Sequence, residues 1–227
     1  MEKLLAVLIA AHMIGDFLLQ PAWMAERKRK TGYLCLHALI HAGIAYLAFQ
    51  AWSCWQAPVL VFLIHAMADA VKLRSPNTAA VFVTDQVAHL AGLLGIVWFL
   101  EVNALLPAFD VMGYRIIVAT GGFAAVSPGA GHLVGSFMKR LVEDSTFTLD
   151  GLTNGGRWIG QMERALIFVF VLIGYPEGIG FLVAAKSILR FKETEEQKMA
   201  EYVLIGTLLS FALAIALASV TKWAMGL

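Results

Sequence analysis

Charged residues are scarce in this chain: Asp, Glu, Lys and Arg make up 15% of its 227 residues, against about a quarter in an ordinary soluble domain. That leaves too little polar surface to cover a water-soluble globule of this size. Cysteine is nearly absent. Cys35 and Cys54 lie in or beside apolar segments without a Cys-x-x-Cys spacing, so no disulfide framework is indicated and both read as small core residues. There is no basic domain and no aromatic-basic platform, which argues against nucleic-acid binding. Solenoid repeats and low-complexity tracts are missing too. The net charge of +1 identifies no partner.

What the chain has instead is apolar length. Hydrophobic residues account for 59% of it, the mean hydropathy is +0.74, and the apolar residues come in long blocks broken by short charged stretches. That pattern predicts membrane spans. The first block contains His12 and Asp16 and ends in Leu-Leu-Gln-Pro-Ala-Trp with no small-residue cleavage pattern, so it reads as a retained helix, not a signal peptide.

The expected fold class is all-α, a polytopic transmembrane helical bundle of seven or eight segments forming one integral membrane domain over 1–227. Segments fall at about 4–20, 33–52, 58–71, 84–102, 114–137, 161–174, 178–189 and 202–223. The sixth and seventh are short, divided by Tyr175-Pro176-Glu177, and form either two tilted spans or a re-entrant hairpin. The polar segment Lys139–Arg157 carries a Thr-Asn-Gly-Gly-Arg turn signal. With the N-terminus outside, the inner loops collect Arg27 to Lys30, Lys72, Arg74, Lys139, Arg140, Arg157, Lys186, Arg190, Lys192 and Lys198. The outer side keeps only Lys3, Arg115 and Lys222. The positive-inside rule therefore places the basic loops in the cytoplasm.

Residues 1–105 stand apart because they carry ionisable groups inside the spans. His12 and Asp16, His37 and His41, His65 and Asp69, and Asp85 and His89 are each spaced i, i+4, and they take up five of the six histidines. On a helix that spacing puts both side chains on one face, a turn apart. The first and third pairs precede inner helix ends; the second and fourth follow inner helix starts. Four alternating helices thus bring all four pairs to one inner-leaflet level, leaving 106–227 as accompanying C-terminal helices.

An isolated carboxylate in hydrocarbon costs several kcal/mol, so such groups turn inward and find partners. Imidazole with carboxylate is the usual donor mixture for zinc, iron or manganese, and helical bundles build metal sites from inward-facing pairs. The expectation is a divalent metal, zinc first, with iron or manganese as alternatives. His12, Asp16, His37, His41, His65, Asp69 and His89 are the candidate ligands, and Asp85 is a further ligand or a general base. Eight candidates exceed one tetrahedral shell, so either two ions bind or some residues orient the ligands. A single His on an apolar face is more often a hydrogen-bonded core residue; four matched pairs at one depth favour the metal.

Gln20 and Gln86 are expected to hydrogen-bond ligands or cap helix ends. Lys72, Arg157 and Arg164 are candidates for binding an anionic substrate, against snorkelling for Lys72 and pairing with Glu163 for the arginines. Lys186 and Arg190 suit contact with anionic lipid heads. His132 stands alone and reads as structural.

At these residues the chain resembles an uncharacterised family of bacterial inner-membrane proteins. Its marks are HxxxDFxxQ (His12 to Gln20), HxxxH (His37 to His41), HxxxDxxK (His65 to Lys72) and DQxxH (Asp85 to His89). C-terminal stretches at Gly155 to Arg164, Ile179 to Phe191 and Ala200 to Ser210 complete the set. The resemblance spans most of the chain and implies residence in the bacterial inner membrane, with no activity attached. In its general His/Asp layout the chain also resembles integral-membrane metal-dependent hydrolases. The expected function is such a hydrolase, acting on a lipid or lipid-linked substrate at the cytoplasmic leaflet among membrane lipids. The same residues also suit a transit site for divalent metal or protons, or a non-catalytic scaffold locked by its His/Asp pairs.

Overall fold

A computed structural model describes residues 1–76, 78–105, 107, 109–143, 154–190 and 197–227. Most of the polar segment Lys139–Arg157, with its turn signal, lies outside the described residues, as does Lys192; nothing is described of the side chains of Arg140, Arg190 and Lys198.

Every regular element among the described residues is helical: α1 (Glu2–Phe17), α2 (Ala22–Arg27), α3 (Thr31–Phe49), α4 (Gln56–Lys72), α5 (Ala79–Val102) and α6 (Val111–Ala124) come first. A π-helical turn (Ala125–Gly129), α7 (Ala130–Glu143), α8 (Gly155–Ile173), α9 (Pro176–Arg190) and α10 (Gln197–Ala224) follow. The expected segments fall on helical stretches, the fifth across α6, the π-helical turn and α7. Among the described residues, four stretches are long and apolar enough to cross a bilayer: Thr31–Phe49, Ala79–Val102, Val111–Lys139 and Glu201–Ala224. The helices α1 and α4 run 16 and 17 residues. At about 1.5 Å per residue, they fall short of the ~30 Å hydrocarbon thickness.

The chain divides into two compact units, Met1–Ala124 and Ala125–Leu227. In the first, α1, α3, α4 and α5 pack in a ring, each against its neighbours, and α6 lies along α1. The reason is visible in the buried stripes. Those of α4 are Ala57, Val61, His65 and Asp69, and those of α5 are Asp85, His89, Leu93, Ile96, Val97 and Leu100. These recur every three or four residues, the period that keeps one helix face inward. On α3 the stripe is made of Ala38, Ala42, Ala45 and Ala48 beside the two histidines, and such small residues let helix backbones approach closely in a membrane. On each stripe the ionisable pair occupies one end and apolar residues the other, so the bundle has a polar pole and an apolar pole.

Turn chemistry sets the helix ends. Thr78 caps α5, its Oγ1 accepting from the Val81 amide at 3.2 Å. Gln50 ends α3 in the left-handed region at φ 56°. Gly121 of α6 lies so close to α1 that a Cβ there would fall on the Ala10 backbone. Large apolar residues such as Leu39, Leu47, Leu63, Met67, Leu94 and Trp98 point outward, the arrangement expected where the surrounding solvent is lipid.

In the second unit Val126, Ile167, Phe168, Phe211, Ala214 and Ala218 form the core. A left-handed Gly174 ends α8 at φ 73° and leads into α9, which packs against α8.

Candidate metal centre

The sequence placed four i, i+4 pairs at one level, and the structure brings them together. His12, His37, His41, His65, Asp69, Asp85 and His89 are all at least nine-tenths buried, and Asp16 is nearly so. The imidazoles pack ring on ring. The centroids of His41 and His65 lie 3.6 Å apart, those of His65 and His89 4.4 Å, and those of His12 and His89 4.8 Å.

Asp16 stands at the centre. Its Oδ1 lies 3.2 Å from Nε2 of both His37 and His41 and 3.7 Å from Nε2 of His65. Its Oδ2 accepts from the Gln86 carboxamide at 3.0 Å. Donors around a tetrahedral ion with ~2.1 Å bonds sit about 3.4 Å apart, so the spacing of these atoms is already close to a coordination shell. Two groupings have donor atoms mutually within 4.8 Å: Asp16, His37, His41 and His65, and, overlapping it, His65, Asp69 and His89.

Unmet hydrogen bonding points the same way. Among the described residues, Nε2 of His41, His65 and His89 are buried without a hydrogen-bond partner, as is Oδ1 of Asp85. His41 Nε2 is near Asp16 but not aligned to bond it. Leaving a buried polar atom unpaired costs about 1–3 kcal/mol; the nitrogens of His41 and His65 belong to the Asp16 grouping and that of His89 to the Asp69 grouping, where a metal ion would satisfy them. For His89 the tautomer is fixed: Nδ1 donates to the Asp85 carbonyl at 2.9 Å, which leaves Nε2 as a bare lone pair facing the cluster. The Gln20 carboxamide nitrogen lies 3.2 Å from both ring nitrogens of His37, and Gln86 Oε1 is 3.4 Å from His12 Nε2. Both glutamines thus lie within hydrogen-bonding distance of cluster residues.

Close packing depends on Gly15, between His12 and Asp16 on α1. A Cβ at that position would coincide with the His41 ring.

Two lysines bond the remaining carboxylates. Lys72, one-third exposed, lies 2.5 Å from Asp85, with its ammonium also over the Phe82 ring. Sequence reasoning missed Lys28. It is 8% exposed and donates to Asp69 Oδ2 at 2.8 Å. It looked like one of four solvated basic residues in a loop. The available signal was Met24, one turn earlier and also buried, which marks an inward face on α2 continuing to Lys28.

A small cavity adjoins the imidazoles on the apolar side, lined by Leu8, Ala45, Val61, Ile64 and Leu93 with the edges of His12, His41, His65 and His89.

The other candidates lie in the second unit. Arg164 is buried; its Nε donates to the Ser127 carbonyl at 2.8 Å and Nη1 to Ser210 Oγ at 3.0 Å. It thus ties the π-helical turn containing Pro128 to α10, in space kept open by Gly131 and Gly160. Glu163 pairs with Lys186 at 2.7 Å. Arg157 and His132 are exposed.

Taken together, the first unit is an apolar helical bundle whose buried His/Asp cluster could hold a metal ion, with lysines at its edge. Residues 4–112, which contain every residue of that cluster, match the model of a family described as "Protein of unknown function (DUF3307)". Over these residues the chain is similar to that uncharacterised family. Comparison with curated proteins and with solved structures finds no match.

Proposed function

We propose that the protein is a membrane-embedded, metal-dependent hydrolase acting on a lipid or lipid-linked substrate from the cytoplasmic leaflet of a bacterial inner membrane. The observation that carries the metal is the buried grouping of Asp16, His37, His41 and His65, whose donor atoms all lie within 4.8 Å of one another, with Nε2 of His41 and His65 lacking a hydrogen-bond partner among the described residues. Zinc suits this nitrogen-rich donor set best. A bound divalent ion would supply a water activated at neutral pH by its lowered pKa.

The chain's own residues take the remaining roles. Asp16, His37, His41 and His65 hold the ion; Gln20 and Gln86 orient His37 and Asp16. Lys72 is the cluster's partly exposed cation, and its ammonium suits an anionic head group arriving from the interface. An anion that draws Lys72 away would leave the Asp85 carboxylate free to accept a proton, the general-base role. Arg157, exposed at the start of α8, is a second candidate for head-group contact, whereas Arg164 already has two protein partners.

Detergent-purified protein incubated with mixed bacterial phospholipids and lipid-linked phosphates tests this reading. Hydrolysis products should form with Zn²⁺-loaded protein, vanish after chelation and return on adding Zn²⁺. Metal-loaded protein that hydrolyses none of them, but carries the ion across sealed vesicles, would replace the hydrolase with a transporter.

A further inference from the structure

The two donor groupings share one residue. His65 Nε2 lies 3.7 Å from Asp16 Oδ1 and 3.6 Å from Asp69 Oδ2, and a ring nitrogen has one lone pair to give. The two carboxylates therefore compete for any ion that His65 binds. They are not equally free to do so. Asp69 is 2% exposed and already holds the Lys28 ammonium at 2.8 Å. Asp16 contacts only imidazoles and a carboxamide among the described residues.

We propose that Lys28 is a built-in counter-cation that limits the cluster to one metal ion, held by Asp16, His37, His41 and His65, with Asp69 committed to the lysine and not to the metal. The proposal rests on the metal-site reading and adds the number of ions and the choice between donor groups.

Charge supports it. The cluster has three carboxylates, Asp16, Asp69 and Asp85, against two ammoniums, Lys28 and Lys72. With neutral imidazoles one negative charge remains. One divalent ion leaves a single positive charge; a second would leave three within a few ångströms, in surroundings where like charges repel far more strongly than in water. An ion at Asp69 would also meet the Lys28 ammonium directly. A lysine is expensive to bury, and here its burial places a fixed cation on the carboxylate that would otherwise complete the second donor group. Asp69→Asn alone would strand the ammonium, so the informative variant removes both charges.

The test uses full-length protein in detergent, stripped and reloaded with Zn²⁺ or Co²⁺, with metal counted by elemental analysis and coordination read from the Co²⁺ visible spectrum. Wild type should bind one ion per chain. Lys28→Met/Asp69→Leu should also bind one, with an unchanged Co²⁺ spectrum and a Kd within about tenfold of wild type, the lower edge of what losing a ligand-orienting partner costs. Lys28→Met alone should shift the spectrum, because Asp69 becomes available as a donor. Asp16→Asn should weaken binding by more than about a hundredfold. Two ions per wild-type chain would overturn the proposal, and so would a double variant that loses metal as Asp16→Asn does. Folded wild type that binds no ion refutes the metal site itself, a result distinct from both.

Discussion

Gly15 separates the two members of the first His/Asp pair, and its missing side chain is what lets the His41 ring lie against α1. A methyl at this position has to displace that ring, because the neighbouring atoms belong to a packed imidazole stack. Gly15→Ala should therefore keep its helix content, as alanine favours the helix, yet bind Zn²⁺ at least about tenfold more weakly, the scale on which misplaced ligands lose affinity. Isothermal titration beside circular dichroism would check both halves. Asp85 belongs to the same scale. It lies outside the Asp16 grouping and holds Lys72, so Asp85→Asn should retain one equivalent of metal while lipid hydrolysis drops by about 10²-fold or more, the usual contribution of a general base. Loss of metal together with turnover would make Asp85 a ligand instead.

Among the elements, α1 carries the most. One face presents His12 and Asp16 to the cluster while the opposite side meets α6, where Gly121 sits against the Ala10 backbone. Gly121→Val should wedge these helices apart, lowering the thermal midpoint and weakening metal binding together, since α1 cannot shift without moving Asp16. Unchanged metal affinity in a destabilised variant would show that α1 is held from the cluster side alone. The start of α5 offers a milder test: Thr78→Ala removes the cap on Val81 and should cost about 1 kcal/mol, largely restored by Thr78→Ser. The i, i+4 spacing made these elements legible, because a period of 3.6 residues settles which side chains share a face wherever a helix forms. Helix ends were less legible. The first segment was read to Gln20, but α1 stops at Phe17, since Leu18 and Leu19 are apolar whether or not they are helical. Lys28 was hidden for another reason: its burial depends on the chain turning back through α2 after Pro21, which a run of four basic residues does not reveal.

For the molecule as a whole, orientation follows from the distribution of charge. We infer that the loop between α2 and α3, with Arg29 and Lys30, faces the cytoplasm, and that the loop between α3 and α4, with Trp52, Ser53 and Trp55, faces outward. In a background with Cys35 and Cys54 replaced, Arg29→Cys should react with an impermeant thiol reagent only in inside-out vesicles, and Ser53→Cys only in right-side-out vesicles. The reverse pattern would move the cluster to the outer leaflet and remove cytoplasmic lipids as substrates. The four-helix convergence was readable from the sequence because alternating helices with short connections share depth. The tie of Arg164 to Ser127 and Ser210 was not, because it depends on a π-helical turn at Pro128 that no side-chain periodicity announces.

The central claim is that Asp16, His37, His41 and His65 make one buried metal site, and elemental analysis of detergent-purified protein tests it most directly. Wild type should contain close to one zinc, iron or manganese ion per chain, and His37→Ala/His41→Ala, which removes two donors of the Asp16 grouping, should contain close to none while remaining folded and monodisperse. Equal metal content in the two proteins, or a metal-free wild type that takes up no ion when supplied with one, would contradict it.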